Sequence, residues 1–175
     1  DTPGAEIRYT LDGTVPTQTN GTPYTVPIHI TITTTLRTAA FKSNHLPSDV
    51  KTNTYIFLDD VLMQTGEGFP RNWGRLGADY AMDSKVVNDP TYSATIKDDL
   101  KSLPTLSIVM NRNDVFGSNG IYSNIQARGV GSERATSVEL IYPDGRKGFQ
   151  INAGIRPHGG ASRSSSRKNS LRLLF

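Results

Sequence analysis

The sequence predicts a mainly β protein in two parts, joined by a connector that contains one short helix. Fourteen of the 19 threonines lie before residue 55, in segments where apolar and polar side chains alternate. The alternation stops over residues 58–102 and returns after Pro104. Turn-forming dipeptides such as Asp12-Gly13 separate the alternating segments. These three observations favour short antiparallel strands over a helical protein.

Residues 1–57 predict four short strands. The first carries Ile7, Tyr9 and Leu11 on one face, which we expect to point inward. The other three strands are predicted at 28–32, 36–42 and 50–57. This spacing of strands and turns is typical of a small immunoglobulin-like sandwich, but such a sandwich has about seven strands. The sequence therefore predicts an incomplete module.

Residues 58–102 are predicted to form a connector that is anchored to a neighbouring surface. Turn-forming residues are frequent in it, whereas Phe69, Trp73 and Tyr80 are too apolar for a free linker. We expect these aromatic side chains to pack against one of the two β parts.

One helix is predicted within the connector, at about 90–102. Asp89 is a suitable N-cap residue, and Pro90 suits the first helical position. The apolar residues that recur every four positions are Tyr92, Ile96 and Leu100. Pro104 ends this pattern, so we expect the helix to stop before it.

Residues 103–175 predict an antiparallel meander. Its strands are expected at 105–110, 137–142, 146–151, 155–158 and 170–175. Turn residues, rather than helices, separate most of these strands, which favours a meander over parallel βαβ units.

Positive charge is concentrated at the end of the chain. Residues 1–160 hold 15 basic and 16 acidic side chains, whereas the last fifteen residues hold four basic ones and no acid. Interleaved aromatic residues and a nucleic-acid-binding motif are both missing there, so nucleic acid is not an expected partner. No apolar run approaches the ~20 residues of a spanning helix, so no membrane span is expected in this chain.

Several classes of chemistry have no support in the sequence. There is no cysteine, and the three histidines are scattered at His29, His45 and His158. Neither a Gly-x-Ser-x-Gly elbow nor a His-Glu-x-x-His helix is present. The carboxylate pairs Asp59-Asp60 and Asp98-Asp99 are expected to be structural or solvated. No catalytic residue and no metal ligand is predicted in this chain.

A phosphate site is predicted at the turn near the end of the chain, formed by Gly159, Gly160, Ser162, Arg163 and Lys168. Glycines let backbone N–H groups approach phosphate oxygens, hydroxyls donate hydrogen bonds, and basic side chains neutralise the charge. The spacing does not match a Walker motif. A mobile surface loop is the alternative.

Tyr24 and Trp73 are the candidates for a glycan site, together with Tyr9. Exposed aromatic rings on a β-sandwich can stack on sugar rings. Packing in the core or at an interface is the ordinary alternative for each of them.

Residues 3–57 resemble the C-terminal β-sandwich domain of chitobiases and β-hexosaminidases. The segments that carry the resemblance are 9–17, 24–28 and 36–42, and the first begins Tyr-Thr-Leu-Asp-Gly-Thr. The resemblance implies an immunoglobulin-like accessory module of exported, often carbohydrate-active, bacterial proteins, without catalytic residues. It implies an extracellular or cell-surface location, although no signal peptide is recognised in this chain.

From about residue 59 onward the chain is similar to the start of CotH-type proteins, which are atypical kinases. The segments that carry this similarity are 103–109, 152–156, 158–163 and 167–175. The resemblance implies an α+β domain that uses ATP and Mg²⁺ in a complete parent protein. It places the catalytic and metal-binding aspartates downstream of Phe175, so none is assigned to a position here.

Two functions are open at this point. In the first, the chain is part of an exported multidomain bacterial protein in which the accessory sandwich joins an atypical kinase domain that acts on a protein substrate. In the second, it is a non-catalytic carbohydrate-binding or structural spacer module that meets a cell-surface glycan. In neither case is this chain alone expected to phosphorylate anything.

Overall fold

The structure is a computed structural model that describes residues 2–73, 76–166 and 168–175, with only the backbone described at Trp73 and Ser164. It confirms a mainly β protein, with two four-stranded antiparallel sheets and a few short helices. A further two-stranded ribbon lies between the sheets in sequence.

The first sheet has the strand order β2-β1-β3-β4, and all its strand pairs are antiparallel. Its strands are β1 (Glu6–Thr10), β2 (Thr22–Pro23), β3 (Thr34–Phe41) and β4 (Lys51–Tyr55). The predicted turn after β1 is present, with Gly13 at a φ of +79°. Strands β1, β3 and β4 confirm three of the four strands predicted for this part of the chain.

The predicted inward face of β1 is wrong. Ile7 and Leu11 are 44% and 45% exposed, whereas Thr10, Arg37 and Thr52 on the opposite face are buried. Side chains alternate with a period of two, so the alternation defines two faces without deciding which one meets a partner. This face, which also carries the buried side chains of Ala39 and Phe41, meets the second sheet at β4, where the Thr54 hydroxyl contacts that of Ser107.

The strand predicted at 28–32 is also wrong as a paired strand. Ile28 and Ile30 are half-buried, but Ile32 is 62% exposed and the chain bends at residues 32–33. The edge of β1 pairs instead with Thr22–Pro23, and Pro27 has no N–H to donate to a ladder. Among the described residues, this segment pairs with no strand of either sheet.

The connector contains three short helices and a two-stranded ribbon. They are α1 (Leu58–Met63), β5 (Asn72–Trp73), β6 (Leu76–Gly77), α2 (Ser84–Val87) and α3 (Ile96–Leu100). The helix predicted at about 90–102 is observed only as α3. Asp89 accepts a hydrogen bond from Thr91 N–H, as a cap does, but residues 90–95 form successive hydrogen-bonded turns instead of a regular helix.

Aromatic packing anchors the connector at Phe69 and Tyr80, as expected for these two residues. The ring of Phe69 lies 5.4 Å from that of Tyr80 and 5.8 Å from that of Phe116, which belongs to helix α4 (Arg112–Phe116). Phe116 also stacks on Tyr122 at 5.8 Å. Burial raises the pKa of Tyr122, with a smaller contribution from Tyr80.

The second sheet is an antiparallel meander with the order β10-β9-β8-β7. Its strands are β7 (Thr105–Val109), β8 (Arg134–Ile141), β9 (Phe149–Pro157) and β10 (Leu171–Leu174). The strands predicted at 146–151 and 155–158 form the single strand β9, because Asn152 to Gly154 remain paired with β8. The one further α-helix in the described residues, α5 (Ser162–Ser165), lies between β9 and β10.

The two sheets meet through polar side chains. Thr54 donates its N–H to Glu139 Oε2 at 2.7 Å, and its hydroxyl lies 2.7 Å from that of Ser107. Asn152 donates to the carbonyl of Val50 at 3.3 Å. The contact between the parts is therefore hydrogen-bonded, as is common between domains of one chain.

None of the helices in the described residues could cross a membrane. The longest of them, α1, has six residues.

Candidate anion-binding site

A basic cavity lies at the end of the second sheet where β9 turns towards β10. Its volume is about 280 Å³. The residues that line it are Arg128, Gly129, Arg156, Pro157, His158, Gly159, Arg163 and Arg172. These lining residues include four arginines and one histidine but no acidic side chain. We call this cavity the arginine pocket.

Strand register brings two of these arginines together. Arg156 on β9 lies directly opposite Arg172 on β10. Side chains at such positions share one face of the sheet, with Cβ atoms about 5 Å apart, and like charges placed there repel each other. Neither guanidinium forms an ion pair or a side-chain hydrogen bond with any described residue. An anion between them would relieve the repulsion.

Glu133 lies near this face but forms no ion pair with the arginines of the pocket in the part of the chain that the structure describes. Its carboxylate sits over Gly154, where a Cβ atom would come within 2.0 Å of Glu133 Oε1. No ion pair joins Glu133 to a described arginine. Because Gly154 has no side chain, the Glu133 carboxylate can occupy the space above it.

Arg163 is buried in the wall of the pocket, with 8% of its surface exposed. Its Nε donates to the carbonyl of Gly159 at 2.8 Å, and its Nη2 donates to that of Pro157 at 2.9 Å. Its Nη1 donates to the carbonyls of Ile125 and Ala127, at 3.0 and 2.7 Å. Four of its five N–H groups are therefore used by backbone carbonyls.

The turn that carries the carbonyls of Pro157 and Gly159 requires glycine at one position. Gly159 has a φ of +104°, and a Cβ atom there would lie 2.5 Å from Ser162 Oγ. An L-residue is strained in this conformation whatever the space. At Gly160, by contrast, a Cβ atom would have no heavy atom within 4 Å, and φ is not positive.

The predicted phosphate residues are only partly brought together. Gly159 and Arg163 line the pocket, and Ser162 lies beside Gly159. Gly160 is exposed in the same turn. Lys168 points elsewhere, because its Nζ lies 3.4 Å from Asp79 Oδ2 in an exposed ion pair with the connector.

Reasoning from the sequence did not identify four of the basic residues that line the pocket, namely Arg128, Arg156, His158 and Arg172. The register of the last two strands could have suggested Arg156 opposite Arg172, because both strands were predicted. Nothing in the sequence places Arg128 at the pocket, because its position depends on a tertiary contact between residues 125–127 and Arg163.

The glycan candidates do not form a cluster that the structure describes. Tyr24 is 48% exposed at the edge of the first sheet, where its N–H donates to the carbonyl of Ile7 at 2.8 Å. Tyr9 is half-buried. The side chain of Trp73 lies outside the described residues.

The described residues contain no group of three or more histidine or acidic side chains that could hold a metal ion.

Comparison with known families bears on the first sheet. Residues 1–55 match the model of a family described as Fn3 associated. The match agrees with the resemblance to the chitobiase and β-hexosaminidase C-terminal domain, and it indicates an accessory β-sandwich module. No curated protein matches the chain, and no solved structure does. The similarity to CotH-type proteins gains no support from these comparisons.

Proposed function

We propose that this chain is part of an exported multidomain protein in which an accessory β-sandwich adjoins a module that binds a phosphate-bearing ligand. The arginine pocket of the second sheet carries the proposal. In the parent protein the ligand would be the nucleotide of a CotH-like kinase domain, and a protein would be the phosphate acceptor.

The chemistry of the pocket supports a phosphate rather than a neutral ligand. A guanidinium group is planar, and two of its N–H groups can donate to two oxygens of one phosphate. These hydrogen bonds are charge-assisted and short. Among the described residues, nothing accepts from the side chains of Arg128, Arg156 and Arg172, so their N–H groups can meet such a ligand. The volume of about 280 Å³ accommodates one or two phosphate groups, with the rest of a nucleotide outside.

The residues fit the phosphates of ATP but offer no ligands for Mg²⁺. Magnesium prefers carboxylate and phosphate oxygens, and no carboxylate from the described residues lines the pocket. The chain's own residues would bind and orient phosphate and neutralise its charge, while phosphoryl transfer is assigned to none of them.

Titration calorimetry with inorganic pyrophosphate and with ATP tests the proposal. The wild-type chain should bind both ligands with a stoichiometry of one, and more weakly as the salt concentration rises, because salt screens exposed charges. The double variant Arg156→Gln/Arg172→Gln should lose at least about tenfold in affinity, since it removes two charge-assisted contacts.

Arg146→Gln is the matched control, because Arg146 is an exposed arginine in the turn between β8 and β9 and lines no part of the pocket. It should bind pyrophosphate as the wild type does. Equal losses of pyrophosphate affinity in the control and in the double variant would refute the proposal. So would the absence of binding by the wild type.

A second candidate function is glycan binding by the first module, which the exposure of Tyr24 favours. Chitin-derived oligosaccharides would then bind to the wild type and not to Tyr24→Ala. Binding that survives this substitution would exclude Tyr24 as the stacking residue.

A further inference from the structure

We propose that Arg163 is a positioning residue that holds residues 125–129 against the turn at 157–159, and so places Arg128 beside the arginine pair. The proposal rests on the proposed function, because the site that Arg163 organises is the arginine pocket. It changes the role of Arg163 from a direct phosphate ligand to the residue that assembles the pocket.

The contacts of Arg163 bridge two segments that are distant in sequence. Two of its hydrogen bonds go to the carbonyls of Ile125 and Ala127, and two go to those of Pro157 and Gly159. In the part of the chain that the structure describes, no other hydrogen bond joins the two segments. The remaining hydrogen bonds of 125–129 stay within residues 124–132, from Ala127 N–H to Asn124 and from Ser132 to Gly129.

Residues 125–129 would not remain in place on hydrophobic packing alone. Within this segment Ile125 is half-buried, whereas Gln126, Ala127, Arg128 and Gly129 are exposed. A segment with so little buried apolar surface opens locally at low cost. The two hydrogen bonds from Arg163 to the carbonyls of Ile125 and Ala127 are therefore the main contact that docks this segment, and the two to Pro157 and Gly159 hold Arg163 in place.

The geometry requires a guanidinium group rather than a positive charge. Four acceptors surround one side chain, and the planar guanidinium offers five N–H donors in a fixed fork. A lysine at this position could supply three donors from one point, so it could not reach both segments in the same way. Lysine should therefore fail to replace arginine even though it keeps the charge.

Docking of the segment and binding of phosphate should be coupled. If Arg128 contacts the ligand only when the segment is docked, the ligand stabilises the docked state to the same extent that docking strengthens binding. Pyrophosphate should then slow the opening of residues 125–129. A substitution that weakens the hydrogen bonds of Arg163 should reduce both this protection and the affinity for pyrophosphate.

Limited trypsin cleavage, followed by mass spectrometry, measures docking at Arg128 itself. The rate of cleavage after Arg128 is compared with that after Arg146, an exposed arginine whose turn has no contact with Arg163. In the wild type, cleavage after Arg128 should be slow, and pyrophosphate should slow it further. In Arg163→Lys the ratio of the two rates should rise about tenfold, and pyrophosphate affinity should fall by a similar factor.

The internal reference separates local release from loss of the fold. If Arg163→Lys fails to fold, cleavage after both arginines accelerates; Arg128→Gln, which keeps Arg163 intact, then tests the same arrangement through affinity alone. That variant should lose about tenfold in pyrophosphate affinity, and unchanged affinity would overturn the proposal.

Two further outcomes distinguish this proposal from the proposed function. An unchanged ratio of cleavage rates in folded Arg163→Lys would overturn the positioning role. If the wild type binds no pyrophosphate while the ratio still rises in Arg163→Lys, the proposed function is wrong and Arg163 positions the segment for another purpose.

Discussion

Each of the two β parts has one nearly fully buried arginine among its described residues, and the two are used in opposite ways. Arg37 on β3 is 6% exposed and forms one hydrogen bond, from Nη1 to the carbonyl of Gly13 at 2.9 Å. Its Nε has no acceptor among the described residues. Arg163, at 8% exposure, has four carbonyl acceptors.

The difference shows that burial alone does not reveal what an arginine contributes. Burial lowers the pKa of Arg37, because the charged guanidinium loses its hydration and gains little in return. Arg163 recovers its lost hydration through backbone carbonyls from two segments. We therefore expect Arg163 to stabilise the structure around it and Arg37 to contribute little or to oppose folding.

The largest expected effect is that of Arg163→Met. This substitution keeps the apolar stem but leaves four carbonyls without their donor. The free energy of unfolding should fall by about 3 kcal/mol, the range expected when a buried hydrogen-bond network is broken. Urea unfolding followed by circular dichroism measures it. A loss below about 1 kcal/mol would show that water replaces the guanidinium.

The second-largest loss of stability is expected from a substitution at Gly159, whose carbonyl accepts a hydrogen bond from Arg163 Nε. Gly159→Ala should cost about 2 kcal/mol, because alanine is strained at a φ of +104° and its Cβ atom would meet Ser162 Oγ. Gly160→Ala is the matched control and should change stability by less than about 0.5 kcal/mol. Thermal unfolding of both variants gives the comparison. Equal effects at the two positions would contradict the assigned turn.

Arg37→Met tests the other half of the comparison. It removes a buried charge that has a single acceptor, and such replacements by apolar residues are often neutral or stabilising. The free energy of unfolding should stay within about 1 kcal/mol of the wild-type value, or rise. If urea unfolding instead shows a loss as large as that of Arg163→Met, the two arginines do not differ as we describe.

The smallest change in stability is expected at the turn that contains Gly13, whose carbonyl accepts a hydrogen bond from Arg37. Asp12 Oδ1 accepts from the hydroxyl of Thr14 at 2.6 Å and from its N–H at 3.0 Å. These two bonds, the hydroxyl first, lower the pKa of Asp12 below its ordinary value of 3.8. Asp12→Asn should cost about 0.5 kcal/mol at neutral pH, since the group is largely exposed.

The pH dependence of this effect has a defined sign. A carboxylate with a lowered pKa stabilises the folded state above its ordinary pKa, and this contribution disappears as the pH falls through the folded value. The difference between the wild type and Asp12→Asn should therefore shrink below about pH 4. A difference that stays constant down to about pH 2 would show that the charge of Asp12 does not matter.

The strands could be predicted from the sequence more readily than their environment. Alternation located β1, β3 and β4, because it depends only on the backbone of an extended chain. It could not show that Ile7 and Leu11 face outward, since this depends on the polar layer between the two sheets. It also could not show that 28–32 stays unpaired, because pairing requires a partner elsewhere in the chain.

The candidate site shows the same limit. The residue types around Gly159 pointed to an anion, and the turn does line the arginine pocket. The role of Arg163 depends on carbonyls at 125–127, which only the folded chain brings near. The sequence predicts Lys168 at the site, but the structure pairs it with Asp79 on the connector.

The central claim is that three arginines of one pocket bind phosphate, and arginine side-chain NMR tests it most directly. On titration with pyrophosphate, the Nε–Hε signals of Arg128, Arg156 and Arg172 should shift together and saturate at one equivalent. The signals of Arg37 and Arg146 should not move. Absence of these shifts, or small unsaturated shifts shared by all arginines, would contradict the claim.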